Sequence, residues 1–541
     1  MATAAPRPAA FPDPFRLGLA SGWKVIDAST LTQDLTLDAD VAIVGTGAGG
    51  GTAAEILSDA GLSVVLVEEG PLATSSDFHM LEAEAYSQLY QESSARKSKD
   101  RSINILQGRC VGGGTTVNWT SSFRTPAPTL EHWAREFGLE GFGVADLAPW
   151  FARMEQRLGV APWLVAPNEN NSALRRGALA LGISSGEIRR NVKGCWNLGY
   201  CGMGCPTNAK QSMLVTTIPA ALSRGATLIT RARASTVEHG AGRASALQCV
   251  GMDPGGTDPT TRKIVVRAPT FIVSAGAIGS PALLLRSEVP DPHGIVGKRT
   301  FLHPTVVSAA LMPDRIDGFS GAPQSIYSDH FLDAPPTGRL GYKLEAPPLH
   351  PILVATTLPG HGIDHANWMN QLSHMHVLIA LMRDGFAARS SGGSVGLNAD
   401  GSPVLDYRLD EFFWDGARRA LASMAEIQFA AGAKSVMPSH APVASYSSWA
   451  AAKAGIAGLA LEPLQTSVVS AHVMGGCPFG PDPKRAVTDP TGRHHHLENL
   501  YVLDGSLFPT SIGANPQLSI YGITAKLATG LAARLRPSRL G

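Results

Sequence analysis

The sequence predicts a mixed α/β protein built around a Rossmann-like nucleotide-binding domain, and three observations near its start carry that reading. The β-branched apolar run Val41-Ala42-Ile43-Val44 leads directly into a glycine-rich turn. That turn opens a helical stretch, and a second apolar run follows which ends in an acid. Strand, glycines, helix, strand and acid in this order are more specific than glycines alone, because glycine-rich turns also occur for purely structural reasons.

Each element has its own basis. Val41 to Val44 has the composition of a strand buried on both faces. Gly45, Gly47 and Gly50 match the G-x-G-x-x-G spacing, residues 52–59 read as a helix, and Ser63-Val64-Val65-Leu66-Val67 reads as the next parallel strand. Glu68 ends that strand, 23 residues after Gly45. An acid there can accept hydrogen bonds from an adenosine ribose while the helix N-terminus receives the pyrophosphate. The motif does not separate FAD from NAD, but an acid in place of a basic residue argues against NADP. Further along, residues 146–158 read as a helix with Asp146 as its N-cap acid and Pro149 early in it. Met375 to Met382 reads as a buried strand, residues 410–431 as an alanine-rich helix, and residues 251–262 as a loop between hairpin strands.

The chain has 541 residues, enough for two or more domains, and 44% hydrophobic against 16% charged residues describes an ordered globular protein. With 45 basic and 44 acidic residues and no basic run, nothing points to a nucleic-acid partner. No apolar stretch reaches the length of a membrane span. The Ala/Pro-rich start lacks both an unbroken apolar segment and a twin-arginine pair, so residues 1–35 read as a flexible or surface-draped tail without an export signal. Cytoplasmic location is the default expectation, and carriage by an exported partner is compatible with it.

Four later segments carry a family resemblance. Gly108-Arg109-Cys110-Val111-Gly112-Gly113-Gly114-Thr115-Thr116-Val117-Asn118-Trp119 resembles the loop that passes beneath the isoalloxazine in glucose–methanol–choline (GMC) flavin oxidoreductases. Ser274-Ala275-Gly276-Ala277-Ile278-Gly279-Ser280-Pro281 is similar to that family's second signature, and residues 297–304, with His303 marking a domain junction, to its entry into the substrate domain. Ser470-Ala471-His472-Val473-Met474-Gly475-Gly476-Cys477, Tyr501 to Ser506 and Asn515-Pro516-Gln517-Leu518 resemble its C-terminal flavin and catalytic segment. The resemblance implies a GMC fold: an FAD-binding domain from residues 36–130, 206–306 and 466–541, and a discontinuous antiparallel-sheet substrate domain from 131–205 and 307–465. It implies FAD contacts at Gly45, Gly47, Gly50, Glu68, Gly112, Gly113, Gly114, Thr115, Asn118, Asp504, Gly505, Pro516 and Gln517, with the Val237 main chain at the adenine.

The implied reaction is oxidation of an alcohol to an aldehyde or ketone. Proton and hydride must leave by different routes, the hydride to flavin N5. A histidine, with an intrinsic pKa of ~6.5, suits the proton. By resemblance His472 takes it, while Asn515 donates to the oxygen and orients it. Reduced flavin would pass electrons to oxygen or to a quinone- or cytochrome-type acceptor. Met, Leu, Trp and Phe outnumber paired charges in the substrate segments, which favours an apolar or aromatic alcohol over a sugar. Some relatives on this scaffold are lyases or light-driven decarboxylases, which is the alternative reading.

Six cysteines make no disulfide framework, but Cys195, Cys201 and Cys205 cluster as C-x5-C-x3-C-P. The spacing is similar to a [3Fe-4S] loop in the bacterial sugar dehydrogenases of the same group, which would make the three thiolates cluster ligands. A cysteine- and glycine-rich loop without a cluster, as in long-chain alcohol oxidases, and a disulfide with one free thiol are the competing readings.

Overall fold

The computed structural model describes residues 12–333 and 337–535. Its core is a six-stranded sheet in the order Lys24–Asp27, Thr227–Thr230, Val64–Val67, Val41–Val44, Thr270–Val273, Leu500–Val502. All five pairings are parallel. The four central and C-terminal members from Val64 to Val502 in this order are buried along their whole length, as expected for strands covered on both faces. The helices Ala48–Asp59 and Gln517–Leu535 pack against each other beside this sheet. The mixed α/β class with a Rossmann-like sheet is therefore what the chain adopts.

A second sheet pairs Ala232–Gly240, Arg243–Met252 and Pro259–Arg267 antiparallel, with Leu35–Asp38 parallel at its edge. The third sheet is larger and mainly antiparallel. Its path runs Ile103–Ile105, Val468–Ser470, Thr305–Leu311, Met375–Met382, Tyr342–Glu345, Ile326–Ser328, Gly186–Glu187, and Ser435–Pro438 pairs with Thr305–Leu311 off that path. Side chains alternate between its faces. Val306, Ala310, Leu378, Ala380 and Met382 join the core beneath the helix Glu411–Ala430. The opposite face, carrying Val307, Ala309, Val377 and Ile379, turns towards the large cavity described below.

Several local readings change. Residues 12–35, expected as part of a flexible tail, hold the helix Pro14–Ala20 and the strand Lys24–Asp27, which extends the parallel sheet; residues 1–11 lie outside the described residues. The apolar rings of Phe15 and Trp23 meet edge to face at 5.4 Å, which anchors this segment. The helix expected from Asp146 begins earlier, as Val144–Arg157 with Gly143 at the N-cap. Asp146 instead occupies the third helical position and its carboxylate accepts from Gly143 N–H at 3.0 Å. Asp410 caps Glu411–Ala430 by accepting from Phe413 N–H. No helix among the described residues is long and apolar enough to cross a membrane.

Candidate active site

One continuous cavity of about 1150 Å³ runs from the tips of the parallel strands to the open face of the antiparallel sheet. At its nucleotide end, Gly45 adopts φ +90°, and a Cβ there would lie 2.3 Å from the carbonyl oxygen of Ser274. Only glycine permits this strand-to-helix turn. Gly47 caps the helix Ala48–Asp59, whose first N–H groups face the cavity. Gly113, at φ +53°, brings the second glycine loop against Gly47. Beyond Gly114 there is open space where a side chain would stand, so the backbone itself forms the wall.

Thr46, which occupies an unspecified place in the G-x-G-x-x-G pattern, ties these pieces together. Its N–H and hydroxyl both donate to Glu68 Oε2, at 3.1 and 2.6 Å, and its Oγ1 accepts from Gly112 N–H at 2.9 Å. Gly70 N–H donates to the other Glu68 oxygen. Burial raises the Glu68 pKa, opposed by these bonds. Asp504 works similarly at the far side: one oxygen accepts from Gly276 N–H and the Ser280 hydroxyl, the other from Ser506. It thereby joins the second signature segment to the C-terminal one.

The cavity is lined by Gly45, Gly47, Glu68, Gly113, Gly114, Thr115, Asn118, Asp504, Gly505, Pro516 and Gln517, and by His472 and Asn515. Gly50 and Gly112 lie behind the wall. A Cβ on Gly50 would be 1.9 Å from Gly45 O, so this glycine serves helix-to-strand packing. Val237 is displaced from the expected position. It is buried in the core, and its N–H donates to Ser287 Oγ at 2.8 Å. A register shift between Ala234 and Thr236 separates it from residues 232–235, and those line the cavity instead. Asn118 Nδ2 donates to Gln517 Oε1 at 2.8 Å, which pairs two expected site residues 399 positions apart. The open glycine backbone, the helix N-terminus and the buried acid fit a dinucleotide such as FAD.

His472 sits in the turn between Val468–Ser470 and Val473–Gly475, and its Nδ1 lies 3.0 Å from Nδ1 of His303. Pairing of Leu302 with Val473 across antiparallel strands sets that approach. His303 is thus more than a domain marker: it is buried, stands behind His472, and its Nε2 accepts Gly513 N–H at 3.1 Å. Burial lowers the His472 pKa to about 4, with the Lys343 charge adding to the effect. Burial, then the neighbouring His472, holds His303 well below the usual histidine range.

Asn515 lies in the loop that enters the helix Gln517–Leu535. Its Nδ2 is 3.4 Å from Glu345 Oε2, and the same oxygen accepts from Gln324 Nε2 at 2.5 Å. Glu345 is fully buried on Tyr342–Glu345, and burial pushes its pKa up to about 7 against the pull of Lys343. Sequence reasoning missed Glu345 because an acid in a short strand carries no motif; its only signal is a pair of charges, Lys343 and Glu345, on one face of a strand whose residues are all buried. Beside these residues runs an apolar stretch of wall: Val307 and Ala309 from one strand, Val377, Ile379 and Leu381 from its neighbour, and Leu353 from Pro351–Thr357.

The cysteine loop does not form the expected cluster site. Among the described residues no three His, Cys, Asp or Glu side chains are grouped to hold a metal ion, and all six cysteines are free. Each sulfur of the loop has a different partner. Cys195 Sγ accepts from Asn197 N–H, Cys201 Sγ accepts from the Arg190 guanidinium at 3.7 Å, and Cys205 Sγ meets Thr207 Oγ1. The loop is instead a brace. Buried Lys210 donates to the carbonyls of Thr116, Asn118 and Cys201, and Arg190 reaches Trp119 O. Both cations tie it to the segment after the second glycine loop.

Two family models described as GMC oxidoreductase match residues 86–305 and 388–524. A GMC-type oxidoreductase of Mycobacterium tuberculosis is 31% identical over 506 residues, covering 92% of this chain and 76% of that protein. One of Sinorhizobium fredii is 29% identical over 92% of this chain and 95% of its own length. A long-chain-alcohol oxidase of Arabidopsis thaliana is 27% identical over 90% of this chain and 68% of that protein. Among solved structures, pyridoxine 4-oxidase from Mesorbium loti superposes with a TM-score of 0.67 at 19% identity, covering 91% of this chain and 98% of that one. A formate oxidase of Aspergillus oryzae gives 0.70 at 14% identity over 92% and 99%. The latter two share the fold. Motifs, architecture and relatives agree, and the chain belongs to the GMC oxidoreductase family.

Proposed function

We propose that this oxidoreductase binds FAD along the glycine-lined end of the cavity and oxidises an apolar or aromatic alcohol to an aldehyde or ketone. Bound FAD supplies the hydride acceptor, at flavin N5. His472 takes the hydroxyl proton, Asn515 donates to the alcohol oxygen and orients it, and oxygen or another electron acceptor completes the cycle. Gly47, Gly113, Gly114 and Glu68 are the proposed dinucleotide contacts.

The observation that carries this reading is the layout of this continuous cavity. A glycine cradle lies at one end, two polar side chains stand midway, and inward-facing Val307, Ala309, Val377, Ile379 and Leu381 continue beyond them. A sugar would leave those apolar side chains facing hydroxyl groups, each losing hydrogen bonds to water. An alkyl or aryl group buries against them, gaining about 25 cal/mol per Å² of apolar surface covered.

Anaerobic mixing with a panel of alcohols tests the proposal. An apolar alcohol should bleach the flavin absorbance and yield the carbonyl product. Turnover with the flavin remaining oxidised would assign the protein to lyase chemistry instead, and no reaction with any alcohol would overturn the reading.

A further inference from the structure

The nucleotide end of the cavity does not stop at Glu68. In the dinucleotide reading the helix Ala48–Asp59 faces the pyrophosphate and Glu68 the ribose, so adenine belongs beyond that acid. Glu69, the next residue, accepts from Arg233 Nε at 2.9 Å and has Arg109 Nε at 3.6 Å. Both arginines line the cavity, as do Gly255, Gly256 and Thr257 from the turn between the strands Arg243–Met252 and Pro259–Arg267.

That turn is a preformed piece of wall. The Asp253 carboxylate accepts from the N–H groups of Gly255, Thr257 and Asp258 at 3.1, 2.7 and 2.9 Å, and Gly256 completes the shape at φ +71°. Two guanidinium groups hold it. Arg231 donates to Pro254 O at 3.1 Å and pairs with Asp27 at 2.5 Å. Arg109, from the second glycine loop, donates to Gly256 O across 147 positions, so its side chain joins two walls of the cavity. Only 12% of that side chain is exposed. Its Nε is buried and has no hydrogen-bond partner among the described residues, Glu69 being too distant for one. A buried donor left unpaired is costly, and an acceptor on a nucleotide in the cavity would satisfy it.

We propose that Arg109 and the turn at residues 253–258 form the adenosine subsite, the guanidinium donating to the adenosine and latching the turn across it. The ligand class is an adenine nucleotide, held as the adenosine half of FAD. This rests on the FAD reading above, and it gives the adenosine a holder in place of the Val237 main chain, which lies in the core. Arg109 is a binding residue for that half, so it governs how tightly the cofactor is held.

ADP is the probe, because it carries the adenosine half and no flavin. The full-length protein is stripped of flavin, and calorimetry measures its affinity for FAD and for ADP separately. Arg109→Ala should weaken both by the same factor, roughly ten- to a hundredfold, the worth of a charged hydrogen bond. Gly256→Ala tests the latch from the other side and serves equally if Arg109→Ala does not fold. A Cβ there would lie 2.5 Å from Arg109 Nη2, so FAD and ADP should again weaken in parallel. Weaker FAD with unchanged ADP would assign Arg109 to the flavin half and overturn the inference. Unchanged affinity for both ligands, or no ADP binding to the unsubstituted protein, would overturn it as well. An unsubstituted protein that refuses FAD would overturn the FAD reading itself and this inference with it, whereas FAD uptake unaffected by either substitution overturns the inference alone.

Discussion

Glu345 Oε2 lies 3.4 Å from Asn515 Nδ2, so a fully buried carboxyl group stands directly behind an amide that faces the substrate cavity. Burial raises this carboxyl to about 7, while Lys343 opposes the rise and Asp329 adds to it. Below that pH the group is neutral and polarises Asn515 less. Flavin reduction at saturating alcohol should therefore rise as pH increases through about 7 and then level off. Glu345→Gln should flatten the profile. Stopped-flow reduction between pH 5 and 9 at roughly half-unit steps measures both, and an unchanged inflection in the variant would assign it to another group.

His472→Ala should slow flavin reduction by roughly two to four orders of magnitude while the protein retains its flavin spectrum. Asn515→Ala should slow it less. Rapid mixing under anaerobic conditions measures the rates directly, and undiminished reduction in the His472 variant would exclude this ring from the reaction.

The apolar wall predicts chain-length selectivity. Val377 faces the cavity from the middle of its strand, so Val377→Phe narrows the space without adding polarity. KM for the longest alcohols accepted should increase by about tenfold, with short alcohols nearly unaffected, as overfilling a packed site costs on the order of 1–3 kcal/mol. A uniform change across chain lengths would place the alkyl group elsewhere.

The nucleotide half was legible because its physics is local. A strand buried on both faces, a turn only glycine can make and an acid at the next strand's end all leave marks in consecutive residues. His472 and Asn515 were legible by resemblance, and both line the cavity. What supports them was not. His303 and Glu345 act through contacts spanning 169 and 170 positions, set by strand pairing and loop closure. Val237 failed because a register shift moved it off the cavity side, and a bulge leaves no composition signal. The cysteine spacing puts Cys195 within electrostatic reach of Cys201 and Cys205, but spacing does not set the partner of each sulfur. In the fold they meet Asn197, Arg190 and Thr207 separately.

His376 offers a test of stability against pH. It is fully buried, its Nε2 lacks a partner among the described residues, and burial lowers its pKa to about 3. The fold holds the neutral ring, so between pH ~6.5 and about 3 the unfolded chain binds the extra proton and stability falls as pH falls. His376→Met should make the acid limb of denaturant-derived stability shallower, by up to about 1.4 kcal/mol per pH unit in that window. An identical slope would show that other groups dominate acid unfolding.

Replacing a sulfur in the brace should be mild. Cys201→Ala removes only the contact with Arg190, because Lys210 holds the backbone carbonyl. Flavin reduction within about twofold of the parent is expected, together with no stoichiometric iron in either protein. Iron at one cluster per chain, lost in the variant, would restore the ligand role of these cysteines.

The parallel sheet has a consequence for how the molecule is made. Its edge strand Leu500–Val502, and Asp504 just after it, are made after every strand of the large antiparallel sheet, none of which lies beyond Ser470. The substrate half can close while translation continues, but the cradle lacks a wall until residues 500–504 arrive. Cofactor loading accordingly waits for that segment, and its deletion should leave the nucleotide end of the cavity incomplete.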